Sequence, residues 1–125
     1  MQIDIVTPHR RLVTGERTEK VKLPGSKGQM EILENHAELL STLTTGLLEF
    51  NGRRFAISQG FVEIKNEKVT VLAETCEEST EIDKARAQAA QKNAEEKLQG
   101  TLSDEDYEKY QLKLQRALIR QQLVN

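Results

Sequence analysis

Four charged side chains in the last third of the chain have types and spacings that could do chemistry. Asp83 and Arg86 lie three residues apart, one turn of a helix, and Arg116 and Arg120 lie four apart on one face of a second helix. Guanidinium groups present planar forks of donors that match phosphate oxygens. Two arginines converging with a third across a helical hairpin would therefore suit a polyphosphate. The same residues also read as solvated helix faces, and basic side chains near a helix C-terminus are favoured by the macrodipole alone. Spacing leaves both readings open.

Catalysis has fewer candidates. His36 has no cysteine, second histidine or paired carboxylate at ligand spacing, so a satisfied polar or interface histidine is the simpler reading than a metal ligand. His9 sits in the turn Thr7-Pro8-His9-Arg10. Cys76 is the only cysteine, which excludes an internal disulfide framework and fits a reducing compartment. Its neighbours Glu74, Glu77 and Glu78 would raise a thiol pKa, so it reads as a filler of a small gap in or after the last strand. No nucleophile–base pair, metal cluster or phosphate-loop motif is present, and an enzyme is the weakest reading.

The elements that must position the charged quartet are two helices. The first is expected from Ile82 to Leu98, opened by a capping-box-like Thr80-Glu81-Ile82-Asp83 and ended by Gly100 at the C′ position. Ala87, Ala90, Ala94 and Leu98 form a narrow stripe of mostly small residues. The second is expected from Ser103, with Asp104, Glu105 and Asp106 favouring its N-terminus, to about Leu123. Its stripe is Tyr107, Tyr110, Leu114, Ala117 and Leu118. Two facing stripes and a short connection imply an antiparallel pair. An alanine seam buries little area; at ~25 cal/mol per Å² it contributes only a few kcal/mol, close to the cost of ordering the segment. Such a hairpin must dock on something, and weak docking is reversible.

From residue 2 to about 75 the pattern has period two, and a β half is expected. Asn51-Gly52 supplies two residues tolerant of positive φ for a type I′ turn between Leu47–Phe50 and Arg54–Ile57. A second hairpin sets Val62 and Ile64 against Val69 and Val71 across Lys65-Asn66-Glu67-Lys68. Short strands at this spacing give a sandwich or barrel-like sheet pair, and without crossover helices a parallel sheet is not expected. The stretch Leu23 to Leu40, with Gly25 and Gly28, reads either as a contact loop or as ordinary turns around a strand.

Composition bounds the rest. Eighteen Lys and Arg against 20 Asp and Glu give a formal net charge of -2 in 125 residues, with a pI near 5.8. No global field draws such a chain to nucleic acid or anionic lipid. No run of roughly 18 apolar residues occurs to span a bilayer. The start, Met1-Gln2-Ile3-Asp4-Ile5, lacks the basic and apolar regions of a signal peptide.

Three stretches carry a family resemblance: Gly25-Ser26-Lys27-Gly28-Gln29 followed by Leu33-Glu34-Asn35-His36-Ala37-Glu38-Leu39-Leu40, then Gly60-Phe61-Val62-Glu63-Ile64 leading to Val69-Thr70-Val71-Leu72-Ala73-Glu74, and Ile82-Asp83-Lys84-Ala85-Arg86-Ala87 with Ala94-Glu95-Glu96-Lys97-Leu98. In order and spacing, over essentially its whole length, the chain resembles the ε subunit of F-type ATP synthases. The resemblance implies a ten-stranded β-sandwich over residues 1–79 and a C-terminal antiparallel two-helix hairpin over 80–125. It implies a non-catalytic central-stalk subunit bound to the γ subunit and the ring of c subunits, peripheral to a bacterial or plastid membrane, of which the cytoplasmic face of the bacterial plasma membrane is the simpler expectation. The hairpin, extended, would reach the catalytic α/β head and restrain ATP hydrolysis. By position, Lys27, Gln29 and His36 are the expected rotor contacts. Glu31 stands where many members have Gly, and Glu34 and Glu38 where Pro is usual, which alters the stiffness and charge of that loop.

The resemblance also names a ligand. Some members bind ATP in the folded hairpin through an Ile/Leu-Asp-X-X-Arg-Ala motif plus basic residues on the second helix. Ile82, Asp83, Arg86 and Ala87 match the motif, Arg116 and Arg120 fall at the later positions, and Glu77 stands where such members carry an acid. Asn93 replaces a basic residue, which should weaken triphosphate binding. ATP is thus expected as a regulatory ligand and no cofactor is required. The alternative from another class is a free-standing ATP-sensing module, which would bind ATP without forming a stable complex with γ.

Overall fold

Ten strands and two helices make up the protein in its computed structural model, which describes residues 1–124; Asn125, the end of the expected hairpin region, lies outside them. The strands are β1 (Gln2–Val6), β2 (Arg11–Arg17), β3 (Lys20–Gly25), β4 (Gly28–Leu33), β5 (Leu39–Leu43), β6 (Gly46–Phe50), β7 (Arg53–Ile57), β8 (Gly60–Lys65), β9 (Lys68–Ala73) and β10 (Cys76–Glu78). They hydrogen-bond in the order β10-β7-β6-β3-β5-β8-β9-β1-β2, with β4 paired to β3 outside that path. Alternate residues of these strands, including Val21, Leu23, Leu48, Phe55, Val62, Val69 and Val71, turn inward and form one aliphatic core closed by the stacked pair Phe50–Phe55. This is the expected β-sandwich followed by helices.

Both expected hairpins form in the expected register. Asn51 (φ 49°) and Gly52 (φ 72°) link β6 to β7, and Val62 faces Val71 while Ile64 faces Val69 across Asn66 and Glu67. One pairing departs from expectation. β1 runs parallel to β9, with Ile3 beside Val69 and Ile5 beside Val71. Seven strands, rather than a helix, make the connection, so no local signal announces it.

Asp4 shows how a buried charge is tolerated in β1. Its carboxylate accepts from the Gly15 N–H at 2.6 Å and lies 3.1 Å from the Lys68 ammonium. The backbone hydrogen bond, aided by Lys68, holds its pKa below the usual aspartate value. Glu78 is likewise held down, chiefly by hydrogen bonds from Arg53 at 2.8 and 2.9 Å. A carboxyl with a depressed folded pKa adds stability above its unfolded pKa and loses it as pH falls through the folded value. Urea unfolding should therefore show wild-type stability falling below about pH 4, with a shallower fall for Asp4→Asn. Equal slopes in the two proteins would count against the Asp4 contribution.

The helices are α1 (Lys84–Leu98) and α2 (Asp104–Val124), preceded by a single 3-10 turn at Ser79–Glu81. Helix α1 begins two residues later than expected. Thr80 is drawn into the 3-10 turn, and Asp83 is itself the N-cap, accepting from the Arg86 N–H at 3.1 Å. Gly100 follows the Gln99 C-cap as expected, without a positive φ. Ser103 caps α2 through the Asp106 N–H at 3.2 Å. The two helices pack antiparallel, with Ala87, Ala94 and Ala117 buried along the seam and the Gln121 amide bonded to Gln91 across it.

Candidate functional site

Helix α2 lies on the outer face of β6 and β7. Residues Leu47, Ala56 and Glu77 form one outward row there, because Leu47 pairs with Ala56 and Ala56 with Glu77. The small Ala56 side chain lets the helix come close, and Ile119 packs in with Arg116 and Arg120 beside it. Arg120 is bonded to the Glu77 carboxylate, and an Arg116 Nη2 lies 3.8 Å from Glu74. Helix α1 packs on α2 and makes no comparable contact with any strand. Among the described residues the sandwich thus holds the hairpin mainly through α2.

Helix α2 therefore has two working faces, and this corrects the single stripe expected for it. One face, with Tyr110, Leu114, Ala117 and Gln121 at least half-buried, is turned to α1; the other, with Arg116, Ile119 and Arg120, is turned to the strands. Of the residues assigned to the stripe, Tyr107, in the first turn of α2, is 47% exposed, and Leu118, at the outer edge of the α1-facing side, is 41% exposed. The root of the hairpin has its own clamp, in which Arg10 of the β1–β2 turn donates to Glu81 at 2.7 Å.

The residues expected to bind a nucleotide are only partly brought together. Glu77, Arg116 and Arg120 line one cavity with Thr45, Ala56, Ile57, Thr75 and Ile119, while Asp83 and Arg86 are not part of its lining. Asp83 is engaged as a cap, Ile82 is half-buried, Ala87 is buried in the helix seam, and the Arg86 side chain is exposed. Asn93 is exposed on α1. The cavity measures about 10 Å³, so no triphosphate sits inside it as it stands. Cys76 is buried, and its thiol is pushed up to about 12, by burial first, with Glu81, Glu77 and Glu78 adding to it. It is an inert filler, as expected, though burial matters more than the neighbouring acids.

The three expected rotor contacts are exposed but not adjacent. Lys27 and Gln29 lie at the tight β3–β4 turn, whereas His36 lies beyond the far end of β4, a six-residue strand and hence roughly 17 Å away. The His36 ring Nδ1 is 2.7 Å from the Ala37 carbonyl, and Asn35 before it has φ 62°. A wider cleft of about 680 Å³ opens at the sandwich rim among Arg17, Lys20, Lys22, Arg53 and Arg54. Three of these cations are already paired: Arg53 with Glu16 and Glu78, Arg54 with Glu49, and Lys20 with Glu31.

One surface escaped sequence reasoning. Across β5, β8 and β9, Leu40, Phe61 and Leu72 are 70%, 52% and 50% exposed. Phe61 pairs with Leu72 and with Thr42, two residues from Leu40, and Leu72 pairs with Val6 of β1. They form a continuous apolar strip on an uncovered sheet face. The available signal was adjacency: Leu39-Leu40, Phe61-Val62 and Val71-Leu72 put two apolar residues side by side in period-two strands, so one of each pair must face outward.

One outer face of the sandwich lies under the helical hairpin, and the other carries a bare apolar strip of the kind that meets another protein surface. Residues 1–79 match the family model described as the β-sandwich domain of the ATP synthase delta/epsilon chain, and residues 80–125 match the long α-helix domain of the same chain. Similar proteins include the ATP synthase epsilon chains of Geobacter metallireducens, 39% identical over 98% of this chain and 92% of that one, and of Desulforamulus reducens, 38% identical over 95% and 92%. A chain in the solved Euglena gracilis mitochondrial ATP synthase shares the fold, with a TM-score of 0.86 at 18% identity over 100% of this chain and 81% of that one. A chain from the Tetrahymena thermophila mitochondrial ATP synthase central stalk and c-ring does so at a TM-score of 0.69 and 11% identity, over 99% and 96%. The chain belongs to the ATP synthase epsilon chain family. It is accordingly a non-catalytic subunit, and among the described residues no helix is long and apolar enough to cross a membrane.

Proposed function

We propose that the chain is a rotor subunit in the central stalk of a proton-translocating F-type synthase on the cytoplasmic face of a bacterial plasma membrane, and that its hairpin restrains ATP hydrolysis when it leaves the sandwich. The observation that carries this reading is the asymmetry of docking. Helix α1 packs mainly on α2, and the hairpin is tied to the sandwich by a small apolar contact of α2, the partly exposed pairs Arg120–Glu77 and Arg116–Glu74, and the exposed Arg10–Glu81 pair at its root. Partly exposed ion pairs contribute little each, typically below about 1 kcal/mol. A hairpin held this way can exchange the sandwich for another surface. Once free, Lys109, Lys113, Arg116 and Arg120 present a basic face to acidic surfaces of the catalytic head.

The bare strip of Leu40, Phe61 and Leu72 is the seat of the γ subunit in this reading, with Lys27, Gln29 and His36 toward γ and the c-ring. Copurification separates the rotor role from a free-standing sensor: γ should be retained by the wild-type chain and lost with Phe61→Asp. Deleting residues 80–125 should raise ATP hydrolysis by the assembled enzyme several-fold; an unchanged rate under all nucleotide conditions would sink the inhibitory role.

ATP is the regulatory ligand of the folded hairpin, recognised by Arg86, Arg116 and Arg120. The motif Ile82-Asp83-X-X-Arg86-Ala87 and the two arginines of α2 support this, and Arg120 must exchange its Glu77 partner for the phosphates on binding. ATP shifts the population only by binding the folded form more tightly than the extended one. Calorimetry on the whole chain should give heat with ATP that Arg86→Ala removes. No heat at millimolar ATP would dispose of the ligand while leaving the stalk role intact.

A further inference from the structure

Two buried polar atoms at the hairpin–sandwich interface lack hydrogen-bond partners, and they are the only such side-chain atoms among the described residues: Thr45 Oγ1 and Arg116 Nε. They come from different bodies. Thr45 lies in the sandwich between β5 and β6, and Arg116 in the middle of α2. Both line the one small cavity that also receives Glu77. An unpaired buried donor costs about 1–3 kcal/mol, so two of them on residues lining one cavity call for a common partner there.

The cavity decides what that partner is. Its volume of about 10 Å³ is close to what one water needs. Arg116 Nε only donates, Thr45 Oγ1 both donates and accepts, and the Glu77 carboxylate only accepts. A water satisfies all three roles, accepting from Arg116 and donating to Thr45 and Glu77, which is within the two to four bonds typical of buried waters. A halide or phosphate oxygen would face the Glu77 carboxylate with like charge.

We propose that a single ordered water fills this cavity and is part of the latch that holds α2 to the sandwich. It bridges Thr45 and Arg116, so the site exists only while the hairpin is docked, and releasing the hairpin releases the water. Thr45 is thereby a positioning residue for the hairpin although it touches no ligand. The inference rests on the folded hairpin and not on the nucleotide reading.

The test uses the whole chain without nucleotide. A high-resolution crystal structure should show one water within hydrogen-bond distance of Thr45 Oγ1 and Arg116 Nε. Hydrogen exchange of α1 and α2 amides should speed up about tenfold in Thr45→Val, with sandwich amides unchanged and Thr45→Ser returning to wild type. A dry cavity, or bromide found there by anomalous scattering, would overturn the proposal, as would exchange in Thr45→Val equal to wild type. If Thr45→Val fails to fold, the crystal structure and the Thr45→Ser exchange rates decide.

Discussion

Gly60→Ala is expected to cost about 3 kcal/mol or more of sandwich stability, out of proportion to one methyl group. A Cβ at Gly60 would lie 2.0 Å from the Leu72 carbonyl oxygen and 2.8 Å from the Ala73 Cα. Both are backbone of β9, the strand that β8 pairs with through Gly60 and Ala73, so no side-chain rotation relieves the clash. Either the β8–β9 ladder opens at that end or the chain does not fold. The same ladder places Phe61 beside Leu72 on the bare strip. A folded Gly60→Ala protein should therefore also lose γ in copurification. Urea or thermal unfolding gives the stability change directly, and a midpoint unchanged from wild type would show that the close approach is not rigid.

Phe55→Ala should be comparably severe, about 3–5 kcal/mol, the usual cost of removing a buried aromatic ring. Phe55 is fully buried and stacks on Phe50 at 5.6 Å between centroids. It also supports Arg53, whose guanidinium sits 5.2 Å above its ring and bonds Glu78 and Glu16. Because β10 pairs with β7 at Glu78 and Phe55, the loss extends to the strand that presents Glu77 to α2. Destabilisation and faster exchange of the hairpin amides should appear together in hydrogen-exchange profiles. Phe55→Leu, which keeps most of the volume, should recover much of both.

Much of this fold was legible because its signals are local. Asn51-Gly52 fixes a turn by φ alone, and period-two alternation then fixes which of Val62, Ile64, Val69 and Val71 meet. The β1–β9 pairing was not legible, since its partners lie more than sixty residues apart and nothing in either strand names the other. At the site, the arginine spacing on α2 was readable, but the partners of Arg116 and Arg120 were not. Those depend on how α2 lies on β7, which is a tertiary fact. Ile119 was left out of the stripe for the same reason: one stripe was sought on a helix that contacts two bodies. Thr45 carried no signal at all, because a threonine before a strand is ordinary until a helix covers it.

The sharpest test concerns whether the hairpin must leave the sandwich to restrain hydrolysis. Ala56 and Ile119 line the same cavity from the two sides, so cysteines at both positions, in a Cys76→Ala background, should join α2 to β7 in an oxidised assembled synthase. With the crosslink complete, ATP hydrolysis should match that of the enzyme whose subunit lacks residues 80–125, and reduction should lower it to the wild-type rate. Equal rates before and after reduction, with hydrolysis still restrained while the hairpin is tied down, would contradict the account.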